Sequence, residues 1–436
     1  MKRQGVKIIR AAAVRDARRC HARPGAIAVR AGRVIAAGRP NRLPRRLWHD
    51  AEVIDRPGEL LLPATVNAHA HLDLTQAGPV PYAGDFSAWL AAVIDRRPRD
   101  PADILAAVHE GLRLSHDAGV GYIGDIAGSV AALTARRDAP AELALPGVSY
   151  LECFGVGDDA GRAAADAIEH TLDALAFETP VPGHVRGVVL GIAPHAPYSA
   201  GRALYDAVTR LSQRHIYRLT THLAESPEER QFLETASGPL VDLLKKLGKW
   251  SDGLAAQLKA DDDAGHPVDW LEHALKHGRW LAAHCNYVDD DHIDILKRTG
   301  TSVVYCPLAS AYLGHEKHRY RDMLDAGVNV ALGTDSILCQ GWGESTDQPL
   351  GILPQMRHLY RRDGADPALL LAMATVNGRR ALDFNAADAT LHRGGPASFT
   401  AIPIDPRDRT DPLTQALESD APASLLRVHT TGVIEG

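Results

Sequence analysis

Along the middle of the chain, apolar runs of strand length alternate with longer stretches whose apolar residues recur every three or four positions. The strand candidates are LLLPATVN, VGYIGDIAG, ALPGVSYLECFG, VRGVVLGIAPH, IYRLTTHLAES, WLAAHCNYV, SVVYCPLAS and NVALGTDS. Helical periodicity fills the gaps over 102–118, 128–137, 160–177, 201–214, parts of 227–278, 289–298 and 318–326. Strands that are each followed by helical material predict an α/β chain folded as a (β/α)8 TIM-type barrel, with a doubly wound sheet as the structural runner-up.

Both ends read differently. AIAVRAGRVIAAG and AEVIDRPGELLLPATVNA near the start, and LHRGGPASFTAIPI and SLLRVHTTGVIEG near the end, are short β-rich pieces punctuated by Gly and Pro. The two ends are expected to pair into a small discontinuous β-sandwich domain, residues 1–61 with 385–436, bracketing a barrel over 62–384. The acidic ADDDAG (260–265) reads as a solvated loop. Gly119, Gly121 and Gly124 spell GxGxxG, but here the pattern leaves a helix and enters a strand, the reverse of a dinucleotide fingerprint.

Composition narrows the function. Hydrophobic residues make up 45% of the 436 and charged residues 23%, an ordinary globular mixture. A net charge of −6 gives no basic field for nucleic acid. There is no apolar run long enough for a membrane span, and the charged start does not resemble a signal peptide, so a cytoplasmic protein with a small-molecule substrate is expected. Five scattered cysteines (Cys20, Cys153, Cys285, Cys306, Cys339) form neither a disulfide framework nor a CxxC knuckle and read as reduced core residues. A homodimer is compatible with the sequence.

Histidines carry the chemical signal. His69 and His71 alternate at the end of the first strand run, so both imidazoles project to one face. His222, His284 and Asp335 also stand where strand runs end, and in a closed parallel barrel those ends converge on one mouth. Three imidazoles and a carboxylate suit one divalent cation, zinc first and Fe(II) second, with an open position for water. Glu225, three residues after His222, is placed to take a proton from a water whose pKa the ion lowers toward about 7. His284 reads either as a further ligand or as a group that orients the water.

NAHAHLD, APHAPYSA, THLAESPEE, AAHCNYV and ALGTDS, in this order, resemble the amidohydrolase superfamily in its deaminase and chlorohydrolase branch. The resemblance covers nearly the whole chain. It implies His69, His71, His222 and Asp335 as metal ligands, Glu225 as proton shuttle, His284 as hydrogen-bond partner of the attacking water, and His195 as a substrate contact. The strand that supplies a carbamylated lysine in the two-metal branch has no Lys here, which implies a single metal. CPLASAYLGHEKH departs from the usual Pro-x-Ser-Asn, and GGPASFTAI lacks the usual Ala-Asp, the first of which leaves the substrate open. The HxE and PCxxC pattern of nucleic-acid-type zinc deaminases is absent.

The expected reaction is hydrolytic deamination of an amino-substituted heterocycle, most directly an adenine nucleoside or thioether derivative. Chloride displacement, cyclic amide opening and a non-catalytic barrel scaffold are the alternatives. Trp89 reads equally as a pocket lid that touches substrate or as packing. The cluster His315, Lys317, His318, Arg319 and Arg321 reads first as exposed charge and second as a grip for an acidic substrate group, with Arg319 as its substrate contact. His273 and His277 read as a solvated helix face, and Cys285 and Cys306 as spectators at the mouth.

Overall fold

The computed structural model describes residues 5–18, 21–177, 184–185, 187–215, 217–259, 265–315, 317–339, 348–428 and 433–435. Cys20 and residues 260–264 of the acidic loop lie outside the described residues. The centre is a parallel barrel of β1 (Thr65–Ala70), β2 (Val120–Ala127), β3 (Gly147–Cys153), β4 (Val188–Pro194), β5 (Arg218–Leu223), β6 (Trp280–His284), β7 (Ser302–Tyr305) and β8 (Val330–Leu332). Neighbours in sequence are neighbours in the sheet, with β3 and β4 in continuous register from Gly147 opposite Val188 to Cys153 opposite Pro194. The seam between β1 and β8 closes just beyond β8. Ala70 bridges Asp335 in parallel, and the backbone N–H groups of Thr334 and Asp335 both donate to the His69 carbonyl at 3.0 Å.

Strand interiors are buried on both faces, as expected of a sheet wrapped by helices. The predicted helices appear within a few residues of their expected bounds. They include Pro101–Asp117, capped by the Asp100 carboxylate, and Asp290–Thr299, opened by a capping box between Asp289 and His292. The GxGxxG decoy is a helix-to-strand turn: Gly119 has φ +77°, and a Cβ on Gly124 would meet the Ala68 carbonyl of β1 at 2.4 Å. Among the described residues, no helix is long and apolar enough to cross a membrane.

The chain ends pair as expected, in one hydrogen-bonded mixed sheet of eight strands. Ser398–Pro403 and Lys7–Arg15 flank Glu52–Pro63, antiparallel and parallel respectively. The expected strand LLLPATVN is therefore split between two sheets. Glu52–Pro63 belongs to the end sheet and β1 starts at Thr65, with Ala64 crossing between them while its N–H donates to the Ser398 carbonyl. Proline at the break removes a ladder donor, which favours a strand ending there. The helix Pro412–Glu418, between two end strands, packs back on the barrel, where Arg357 donates to the carbonyls of Ala416 and Ala421.

Candidate active site

The polar residues singled out at strand ends meet at one mouth of the barrel. His69 closes β1 and His71 follows it, their rings 5.1 Å apart and nearly perpendicular. His222 on β5 brings its Nε2 to 3.3 Å from His71 Nε2, while its Nδ1 faces the His195 carbonyl at 3.0 Å, which fixes which nitrogen points inward. Asp335 Oδ1 lies 3.5 Å from His71 Nε2 and 3.8 Å from His69 Nε2. A backbone at φ +58° aims this carboxylate, and its oxygens also accept from the Ser336 N–H and the Cys339 thiol.

These residues fit a divalent cation. Nε2 of His69, which faces Asp335, and Nε2 of His284, which faces Glu225, are buried without a hydrogen-bond partner, an arrangement that costs free energy unless something else engages them. Burial, with repulsion between neighbouring imidazoles, holds His69 and His71 well below the usual histidine range and hence neutral, the form that ligates. Donors around one ion at about 2.0–2.2 Å would stand roughly 3.3–3.6 Å apart, a spacing met by His71 with His222 at 3.3 Å and His71 with Asp335 at 3.5 Å, while the ligand atoms of His69, His71 and His222 all lie within 4.8 Å of one another.

Glu225 and His284 complete the mouth, Oε1 of the first lying 3.7 Å from Nε2 of the second. Burial and the neighbouring carboxylates of Asp335, Glu229 and Glu228 push Glu225 well above the usual carboxyl range, which makes its carboxylate a ready proton acceptor. Its backbone is gripped from both sides. The Glu229 carboxylate accepts the N–H of Glu225 at 3.0 Å and of Ala224 at 3.2 Å, and Asn286 donates to the Glu225 carbonyl at 3.0 Å. Ser310 in turn donates to the Asn286 side-chain oxygen, which orients the amide. His284 sits at φ +70°, with its carbonyl accepting from His318 Nε2 at 2.7 Å.

A cavity of about 720 Å³ opens from this centre, with His71, His222, Glu225 and Asp335 on its lining. His195 reaches it from just past β4, its Nδ1 2.6 Å from Ser199 Oγ. Burial lowers His195 to about 3, so its ring is neutral at ordinary pH. Trp89 is buried in the wall, its indole N–H donating to the Val80 carbonyl.

The profile of the amidohydrolase family matches residues 60–423. The chain belongs to the amidohydrolase family. This makes it a metal-dependent hydrolase. The aminodeoxyfutalosine deaminase of Deinococcus radiodurans is 29% identical over 368 residues, 82% of this chain and 81% of that protein. The 5-methylthioadenosine/S-adenosylhomocysteine deaminase of Halalkalibacterium halodurans is 25% identical over 378 residues, 82% of this chain and 75% of that one. Among solved structures, Helicobacter pylori aminofutalosine deaminase has a TM-score of 0.78 at 18% identity, covering 98% of this chain and 100% of the other. Atrazine chlorohydrolase from Arthrobacter aurescens complexed with zinc has a TM-score of 0.73 at 21% identity, covering 98% and 94%. At such identities the structural matches establish the fold of this amidohydrolase.

The basic cluster divides. His315 is buried and His318 half-buried beside the mouth, His315 against the Tyr287 hydroxyl and His318 stacked on Tyr305. Arg319 pairs instead with Asp290 and Asp322 and is not on the cavity lining. His273 pairs with Asp206 near an exposed His277. Cys285 and Cys306 are buried free thiols whose pKa burial raises.

Several residues of the site carry no local sequence signal of their role. Arg97 on the cavity wall lies 2.7 Å from Glu152 and 3.8 Å from Asp73, all far apart in the chain. Glu229 was visible only as the last residue of S-x-x-E, a capping-box pattern. A capping-box Glu returns to the N-cap N–H, but here the N-cap is Ser226 and Glu229 reaches one and two residues beyond it.

Proposed function

We propose that this amidohydrolase is a hydrolytic deaminase of an adenine nucleoside or adenine thioether derivative, releasing ammonia. The observation that carries the reading is the meeting of three imidazoles and two buried carboxyl groups, Asp335 and Glu225, at the head of one cavity. His69, His71, His222 and Asp335 would hold a single divalent ion, zinc in the first place and Fe(II) in the second. When bound, such an ion makes water acidic enough to act as a nucleophile near neutral pH.

In this reading Glu225 takes a proton from the water and delivers it to the substrate ring nitrogen next to the carbon under attack. Oxygen bonds to the amine-bearing carbon, the carbon–nitrogen bond breaks, and the amine leaves as ammonia with the second proton. His284, 3.7 Å from Glu225, orients the attacking oxygen, and Asp335 accepts its hydrogen bond. His195, held by Ser199, contacts the heterocycle, and Trp89 walls it in. Arg319, engaged elsewhere, is not among the contacts we propose. Buried free thiols at Cys153, Cys285, Cys306 and Cys339 suit a reducing cytoplasm.

The test is ammonia release by metal-replete protein from adenosine, 5-methylthioadenosine, S-adenosylhomocysteine and aminodeoxyfutalosine, with mass spectrometry of the product. Replacement of the exocyclic amine by oxygen is expected. No ammonia from any of them, or a ring-opened product, would remove the deaminase reading.

The Glu225 clamp supplies a further prediction. Glu229→Gln replaces one of the two acceptors with a donor that faces a backbone N–H, so the shuttle is misaimed without losing its acid group. We expect kcat to fall roughly 10- to 100-fold, since small displacements of a catalytic group have effects of that order. KM and bound metal should stay near wild type. A parallel loss of metal would mean that Glu229 supports the fold of the site rather than the aim of Glu225.

A further inference from the structure

The backbone that carries His284 adopts a conformation that L residues rarely keep unaided. His284 (φ +70°) and Cys285 (φ +53°) are consecutive non-glycine residues in the left-handed region, which persists only where the surroundings over-determine it. Part of the hold comes from beyond β5. The Cys285 N–H donates to the Leu223 carbonyl at 2.8 Å, and the Tyr287 N–H to the Ala224 carbonyl at 3.2 Å.

The rest comes from the opposite neighbour, the segment 306–319 after β7 that departs from the usual Pro-x-Ser-Asn. It reaches the residues after β6 at three points. His318 Nε2 donates to the His284 carbonyl at 2.7 Å, His315 Nδ1 lies 2.9 Å from the Tyr287 hydroxyl, and Arg319 pairs with Asp290 at 2.6 Å. The basic cluster is thus a clasp on the stretch that presents His284, and its first contact falls on the left-handed peptide itself.

His318 has a firm mount for this work. Its ring stacks on Tyr305 with centroids 3.8 Å apart and planes within 16°, and Arg362, paired with Asp363, donates to the Tyr305 hydroxyl at 3.1 Å. Burial lowers His318 to about 4, so the ring is neutral and has one N–H to give. The His284 carbonyl takes it, which fixes the tautomer and leaves Nδ1 buried without a partner. Among the described residues His318 is not on the cavity lining, so it acts through another group and not on substrate.

We propose that His318 is a positioning residue of the reaction: its hydrogen bond to the His284 carbonyl fixes the left-handed peptide and with it the aim of the His284 ring at the attacking oxygen. This rests on the deaminase reading for the role of His284.

The experiment separates the hydrogen bond from the stacking. His318→Phe keeps an aromatic ring on Tyr305 and loses the donor, whereas His318→Gln loses the ring and offers an amide N–H in place of Nε2. The zinc-loaded full chain is assayed with whichever of the four adenine compounds it turns over fastest. His318→Phe should lower kcat about 10- to 100-fold with KM and bound zinc near wild type, and His318→Gln should stay within about threefold of wild type. In a His284→Asn background His318→Phe should cost less than about twofold, because a residue that acts through another adds nothing once that one is gone. An unchanged kcat in His318→Phe, equal losses in the Phe and Gln variants, or the full loss in the His284→Asn background would overturn the inference. If none of the compounds releases ammonia, the deaminase reading fails and a crystal structure of His318→Phe decides instead. His284 should then leave its φ of +70°, and a backbone and ring that stay in place would overturn the inference.

Discussion

Glu225→Gln is expected to lower kcat by roughly 10²- to 10⁴-fold, the range associated with loss of a positioned general acid and base. The substitution is nearly isosteric, and the contacts that place this residue run through its backbone. Glu229 accepts its N–H and Asn286 donates to its carbonyl, so the amide should occupy the position of the acid. A neutral amide also suits this site. Burial and the nearby Asp335 and Glu229 already raise the carboxyl group well above its usual range, so folding should not suffer. Loss of turnover with normal KM, metal content and circular dichroism identifies Glu225 as the group that moves the proton. Unchanged turnover would show that another residue does so.

Metal removal is expected to have an effect of similar size. Treatment with a strong chelator should reduce turnover to background, and added zinc should restore it. The same treatment should lower Tm. Without a cation, the mouth holds an Asp335 carboxylate among imidazoles whose buried nitrogens lack partners. An ion that binds only the folded chain stabilises it by about 2.7–4.1 kcal/mol at 100 to 1,000 times its Kd, and chelation removes that contribution. His71→Ala should reproduce both effects and resist rescue by zinc. Full activity in chelated protein, verified metal-free, would exclude a cation at these four residues.

Much of this site could be read from the sequence because a parallel barrel turns sequence position into spatial position. His69 and His71 alternate on a strand, and His222, His284 and Asp335 each end an apolar run, so strand periodicity alone brings them to one rim. What escaped lacks such a rule. Arg97 meets Glu152 across the cavity from separate elements, and nothing in either local pattern records the pairing. Arg319 failed for the complementary reason: a run of like charge does not show that Asp290, on another helix, neutralises it. The run LLLPATVN straddles two strands because Pro63 and Ala64 lie in a continuous apolar stretch, and only the pairing partners reveal that it changes sheets.

The joint between the first and last barrel strands is fastened by the His69 carbonyl, which receives the N–H groups of Thr334 and Asp335. Two residues proposed to grip the ion are thus also the clasp of the cylinder, and the reaction centre can be no firmer than that clasp. Gentle heating that springs it should silence the enzyme while most of its helical signal persists, so inactivation would run ahead of melting.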